Sequence, residues 1–154
     1  RALVTEHLGA GAALAPALLA RAREAHPAPQ SVVLLAAGSS RACAREEIDE
    51  LAAQLAGLAG VPVAVGFLTG SGPTASAALE QVHGAADAVA VPALLAPGLF
   101  ATRAAQLAEL HGIPIAPVLG AQPAVIDLIV DRVATWSPRL AAAAPRTTQA
   151  GPRG

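Results

Sequence analysis

The sequence predicts an α/β domain in which a parallel sheet lies between two layers of helices. Three observations carry that reading. Short apolar runs alternate with longer segments of helical periodicity after residue 30. The runs are continuous rather than alternating, as strands covered on both faces are. The connections between them are short and rich in Gly, Ser and Pro.

The first unit opens with Ser31-Val32-Val33-Leu34-Leu35-Ala36-Ala37, read as a strand ending in Gly38-Ser39-Ser40. A helix follows from Cys43 to Leu58, with Ile48, Leu51, Leu55 and Leu58 at helical spacing. Glu46, Glu47, Asp49 and Glu50 enrich its first half, where the helix dipole favours acid. The second unit is a strand over residues 61–68, the turn Gly70-Ser71-Gly72-Pro73-Thr74, and a helix to about His83, capped by Thr74 or Ser71. The third is a strand over residues 88–92, a loop through Pro97-Gly98 and a helix to Leu110. The fourth is a strand over residues 113–118, a turn through Leu119-Gly120 to Pro123 and a helix to about Trp136. Residues 138–154 run to Ala, Pro, Arg, Thr and Gly and read as a disordered tail.

The first 30 residues overlay the fourth unit when shifted by 111 positions. Leu8-Gly9-Ala10 then falls on Leu119-Gly120-Ala121, Leu14 on Val125, Leu18 on Ile129, Leu19 on Val130 and Arg21 on Arg132. Residues 1–27 therefore read as the last βα unit of a preceding copy of the domain, with residues 28–30 as linker and 31–137 as the domain itself. The start at Arg1 reads as a fragment cut inside that earlier copy. On this reading Leu14, Leu18 and Leu19 are left exposed or dock on the domain's own surface, and exposed apolar patches favour association. A tendency to dimerise is expected.

Composition narrows the function classes. Hydrophobic residues make up 54% of the chain and charged residues 14%, which excludes a disordered polar chain. Net charge is −1 and all ten basic residues are Arg, without the clustered footprint that nucleic acid requires. A single cysteine, Cys43, excludes an internal disulfide framework and a Cys-rich zinc site. No run reaches the roughly 18 uninterrupted apolar residues of a membrane span. Leu8 to Ala20 is apolar, but Glu6 and His7 precede it in place of a basic cluster, so a cytoplasmic location is expected over secretion.

In an open parallel sheet, ligands bind beyond the carboxyl ends of the strands. Four loops reach that end: residues 37–40, 69–72, 93–100 and 119–123. They are small, glycine-rich and nearly uncharged, so a large flat ligand can approach the backbone closely. Gly38-Ser39-Ser40 before a helix could also hold an anion, although it fits neither the P-loop nor the dinucleotide fingerprint. Arg41, Arg45 and Arg103 stand at helix starts and could pair with carboxylates, or serve as solvated surface arginines. His26 opens the His26-Pro27-Ala28-Pro29 stretch that leads through the linker, and His83 and His111 fall near helix ends away from the ligand face, where a cation suits the dipole. Of the four histidines, His7 alone falls near that face. Cys43 reads as a small packed residue.

Leu34-Leu35-Ala36-Ala37-Gly38-Ser39, followed by Ala44-Arg45-Glu46-Glu47, resembles the opening of the class II tetrapyrrole chelatases, the sirohydrochlorin cobalt- and ferrochelatases. That family reads Gly-His-Gly-Ser there, then Ala-Asn-Glu-Glu. Phe67-Leu68 with Pro73-Thr74 is similar to its second motif, Val91-Pro92 through Leu94-Leu95-Ala96-Pro97-Gly98 to its third, and Ile115 through Leu119-Gly120 and Pro123 to its fourth. The resemblance covers roughly residues 31–135 and keeps all four motifs in order.

The resemblance implies a chelatase-like three-layer domain, often present twice in one chain. It implies insertion of a divalent metal, Co2+ or Fe2+, into a ring-shaped tetracarboxylate precursor of sirohaem or cobalamin. An imidazole is expected to take up pyrrole protons and help deliver the metal. Here the first-motif histidine aligns with Ala37, the third-motif histidine with Phe100, and the second-motif acids with Thr69 and Gly72. Neither alanine nor phenylalanine binds metal or accepts a proton. The resemblance therefore implies a degenerate C-terminal half, with no catalytic residue and no metal held by this half. Gly38, Ser39, Ser40, Thr69, Pro92, Gly98 and Phe100 would be inherited cleft positions. Its partners would be the tetrapyrrole and either a preceding repeat or a second copy, with no nucleic acid and no membrane. Two other readings stay open: a non-catalytic tetrapyrrole- or metabolite-binding module of the same fold, and an unrelated α/β enzyme using residues 38–40 for an anion.

Overall fold

The computed structural model describes Val4, Leu8, Gly9 and residues 12–85 and 87–143. A short 3-10 turn over Ala12–Leu14 leads into α1 (Ala15–Ala25). Then follow β1 (Ser31–Ala36), α2 (Ala42–Ala59), β2 (Val63–Phe67), α3 (Ala75–Gln81), β3 (Ala88–Pro92), α4 (Leu99–Leu110) and α5 (Pro123–Ala143). The sheet has three strands in the order β2-β1-β3, all parallel, with Leu34 opposite Val65 on one side and Val91 on the other.

Alternation along the strands explains why every residue of β1 after Ser31 is apolar. Val32 and Leu34 join Val89 and Val91 in one core with Leu18, Leu51, Leu55 and Val125, from α1, α2 and α5. Val33 and Leu35 join Ala88 and Ala90 in the other, against Leu79 of α3 and Ala104 and Ala108 of α4. Both faces are dry, and each fully buried Val or Leu contributes about 1.5–3 kcal/mol. The three-layer α/β reading is borne out on that account. α2 stops at Gly60, whose amide bonds Ala56 O at 2.9 Å. α3 starts at Thr74, whose Oγ1 accepts from the Ala77 amide at 3.1 Å.

Three expectations change. The fourth strand, residues 113–118, is reduced to a single parallel bridge between Ala90 and Ile115. Its two ladder bonds run from the Ala90 amide to Pro114 O and from the Ala116 amide to Ala90 O. The next donors on either side would be Pro114 and Pro92, which have no N–H, so the ladder stops after one step. Second, α5 continues to Ala143, so residues 138–143, expected in a disordered tail, are helical; residues 144–154 lie outside the described residues. Pro138 forfeits one helical bond, but the Leu-Ala-Ala-Ala that follows Arg139 has high helix propensity. Third, α2 begins at Ala42 and has no acid in its first turn, so its four acids lie beyond the reach of the dipole. Of the two outcomes expected for the apolar face of residues 1–27, docking on the domain is the one observed: Leu14 and Leu18 are 5% and 0% exposed, and Leu19 packs against the same cluster. Among the described residues, no helix is long and apolar enough to cross a membrane.

Candidate functional site

Parallel strands carry the loops after β1 and β2 to one end of the sheet, and backbone bonds weld those two loops together. The Leu68 amide bonds Ala36 O at 2.9 Å and the Thr69 amide bonds Ala37 O at 3.0 Å. Thr69 Oγ1 donates to the same Ala37 carbonyl at 2.7 Å. Gly38 has φ +99°, and a Cβ there would lie 1.9 Å from Thr69 O. No other residue fits that crossing without moving the β2 loop. Beyond it, Ser39 Oγ accepts from the Arg41 amide at 3.1 Å and sets the entry of α2.

A cavity of about 610 Å3 opens at this end. Its floor is Ala36, Ala37, Gly38 and Ser39 of the β1 loop. The first turns of α2 supply Arg41, Cys43, Glu47 and Ile48, and Ala93 and Leu95 close the β3 side. Leu8 and Gly9 form part of the rim. A smaller pocket of about 190 Å3 lies beside it, lined by Thr69, Gly70, Gly72 and Arg103 among others. The chemistry on offer is therefore backbone, small side chains, one thiol, and the charged groups of Arg41 and Glu47. Among the described residues, no group of three or more His, Cys, Asp or Glu side chains could hold a metal ion.

Of the positions expected in the cleft, Gly38 and Ser39 share the main cavity with Ala37, and Thr69 lines the smaller pocket. Ser40 is exposed and lines neither. Pro92 is buried within β3, and the next residue, Ala93, reaches the cavity instead. Gly98 and Phe100 also line neither pocket: Gly98 caps α4, and Phe100 is 39% exposed on its first turn. Arg41 reaches the main cavity, Arg103 the smaller pocket, and Arg45 a third depression beside Glu46 and Asp49. Cys43, expected as a packed residue, is an exposed thiol on the cavity wall. Its place in the first turn of α2, one residue past the start, turns it away from the sheet; the apolar periodicity begins only at Ile48. His7 lies outside the described residues.

Comparison with known proteins gives a consistent picture. A family model, CbiX, matches residues 31–136. No curated protein matches the chain. Among solved structures, SirB from Bacillus subtilis with Fe3+ superposes with a TM-score of 0.79 at 19% identity, covering 90% of this chain and 59% of that one. The sirohydrochlorin chelatase SirB from Bacillus subtilis subspecies spizizenii in complex with cobalt gives 0.66 at 17% identity, over 90% and 56%. A cobalamin biosynthesis CbiX protein from Marinobacter aquaeolei gives 0.55 at 24% identity, over 73% of this chain and 98% of that one. The chain thus spans under three-fifths of either SirB chain.

Proposed function

Because the chain belongs to the CbiX family, we propose that it is the substrate-shaping half of a sirohydrochlorin-type chelatase, which inserts Co2+ or Fe2+ into a tetrapyrrole. The observation that carries the reading is the cavity at the end of β1. Its volume, about 610 Å3, lies in the range of small-molecule sites. Its floor is small and neutral, and position 37, where chelatases of this kind carry an imidazole, is alanine.

In this role the β1 loop presents backbone to the flat face of the macrocycle, and Gly38 keeps that surface free of side chains. Arg41 stands at the mouth and binds a peripheral carboxylate through charge-assisted hydrogen bonds. The metal is a substrate, and the proton-accepting imidazole comes from the other half of the assembly. That half is a preceding repeat of the same chain or a second copy. The turn geometry supports the repeat: Gly9 and Gly120, 111 positions apart, both have left-handed φ, +69° and +58°. Each also precedes a helix that packs on the same core. A cytoplasmic location fits this chemistry.

An anaerobic assay tests the proposal by following sirohydrochlorin absorbance with Co2+. The chain alone gives no acceleration over the metal-only control, yet it perturbs the tetrapyrrole spectrum, and Arg41→Ala weakens that binding about tenfold. Clear acceleration by the chain alone would overturn the non-catalytic assignment, and His7 would be the first residue to replace. A chain that binds the macrocycle but never supports insertion, even with an active chelatase half added, would instead be a tetrapyrrole-binding module. The absence of imidazole at positions 37 and 100 is what favours that second reading.

A further inference from the structure

We propose that His83 and His111 form a divalent-cation site of two imidazoles at the carboxyl ends of α3 and α4, away from the tetrapyrrole cavity. The two rings lie with centroids 6.3 Å apart and planes at 74°. Neither residue lines the main cavity or the smaller pocket beside it.

Each ring is oriented by a second group, as metal-binding imidazoles are. His83 Nδ1 lies 3.1 Å from the His111 carbonyl oxygen, which accepts but cannot donate. That contact places the proton of neutral His83 on Nδ1 and leaves the Nε2 lone pair free, on an exposed residue. His111 Nε2 lies 3.0 Å from Ser76 Oγ, within the part-buried side of α3. With Nε2–H donating to Ser76, His111 Nδ1 carries the second lone pair. The two tautomers that suit ligation are thus those the neighbouring oxygens accept.

Electrostatics points the same way. His111 is the C-cap of α4, and His83 follows the C-cap of α3, Val82. Both imidazoles therefore sit where the negative end of the helix dipole favours a cation. The spacing is workable. With metal–nitrogen bonds near 2.0–2.1 Å, ring centres would be about 5 Å apart at a tetrahedral angle and about 6.4 Å across the metal. The observed centroid separation of 6.3 Å lies within that span, and His83, the more exposed ring, is the one free to adjust. Water completes the coordination. Imidazole donors select a borderline first-row divalent ion such as Zn2+, Ni2+ or Cu2+ over Mg2+ or Ca2+. The inference does not depend on the chelatase reading.

The test uses the untagged chain and the metal alone. Substoichiometric Cu2+ is added to the 15N-labelled chain, and the imidazole resonances of His83 and His111 broaden before those of His26. Calorimetry with Zn2+ shows one equivalent bound. His83→Ala and His111→Ala each lower the association constant about tenfold or more. Ser76→Ala lowers it about tenfold by freeing the His111 ring. His26→Ala leaves it unchanged. The proposal fails if Cu2+ broadens His26 first or all histidines evenly, or if stoichiometric Zn2+ binding survives both His83→Ala and His111→Ala. It also fails if Mg2+ competes on equal terms. The broadening is read on the unsubstituted chain, so it decides the matter even where a variant does not fold.

Discussion

α1 and α5 carry a similar apolar spacing in two different settings. Shifted by 111 positions, Leu14 falls on Val125, Leu18 on Ile129 and Leu19 on Val130. Leu14 and Val125 are both buried, at 5% and 3%. One turn further on, the two helices part: Leu18 is 0% exposed and Ile129 is 43% exposed. α1 lies in a groove between α2, β3 and the start of α5, whereas α5 touches the domain mainly through the 3-10 turn and α1. Ile126, Ile129, Val130 and Val133 consequently form an exposed apolar stripe along α5. Helical periodicity specifies which face of a helix is apolar. It does not specify whether anything comes to cover it.

The sharpest way to break this comparison is to truncate the buried partner. Leu18→Ala should lose about 2–5 kcal/mol, the usual cost of a cavity in a closed core. Urea denaturation reads it as a lower midpoint at unchanged m-value. A loss under about 1 kcal/mol would mean that α1 is not held as described.

Next comes the clasp between the two helices. Arg21 of α1 donates from Nε and Nη2 to the Leu119 carbonyl at 3.3 and 2.9 Å, and Nη1 pairs with Glu24 at 2.7 Å. Glu24 in turn accepts from Gln122 at 3.1 Å. Arg21→Ala should lower stability by about 1–3 kcal/mol, because a part-buried carbonyl loses its charged donor. Hydrogen exchange should speed up around Leu119 to Val125 more than in β1.

A smaller effect is expected at the turn itself. Gly120→Ala forces a side chain into left-handed backbone beside Arg21 Nη2, 3.2 Å from the new Cβ, and should lose about 1–2 kcal/mol. Gly9→Ala offers the paired measurement at the equivalent turn, and a similar loss there would strengthen the repeat reading. The smallest change is Ile129→Ser, which should alter monomer stability by under about 0.5 kcal/mol. Its readout is sizing chromatography: a dimer that uses the α5 stripe should shift toward monomer, and an unshifted elution would place the contact elsewhere.

The parts of this molecule that repeat a simple rule could be read without coordinates. β1 and β3 are continuous apolar runs because both faces are covered, and Thr74 caps α3 because its hydroxyl meets an unpaired amide. The β1 loop was placed in the cavity by the general rule for parallel sheets. What escaped depends on partners distant in sequence. Ile113 to Val118 has strand composition, but Pro92 on the neighbouring strand β3 removes a bond that only the fold reveals. Pro92 reads as a cleft residue until β3 is seen to bury it, and Cys43 reads as packed until α2 turns it outward. The pairing of Ser76 with His111 spans 35 positions and has no local pattern that could announce it.

The segment from Ile113 to Val118 has a consequence for how such domains can be crowded together. The sheet ends at Ile115, and on the outer side of that segment Pro117 has no N–H while the Ile113 amide is already bonded to Ala108 O. A foreign strand arriving at that border would find too few donors to zip against, which is how edge-to-edge fusion is kept in check. At this border two copies can therefore sit side by side, in one chain or in two, without their sheets growing into one another. For a fold that superposes on SirB chains about one and a half times this length, that border works as insulation.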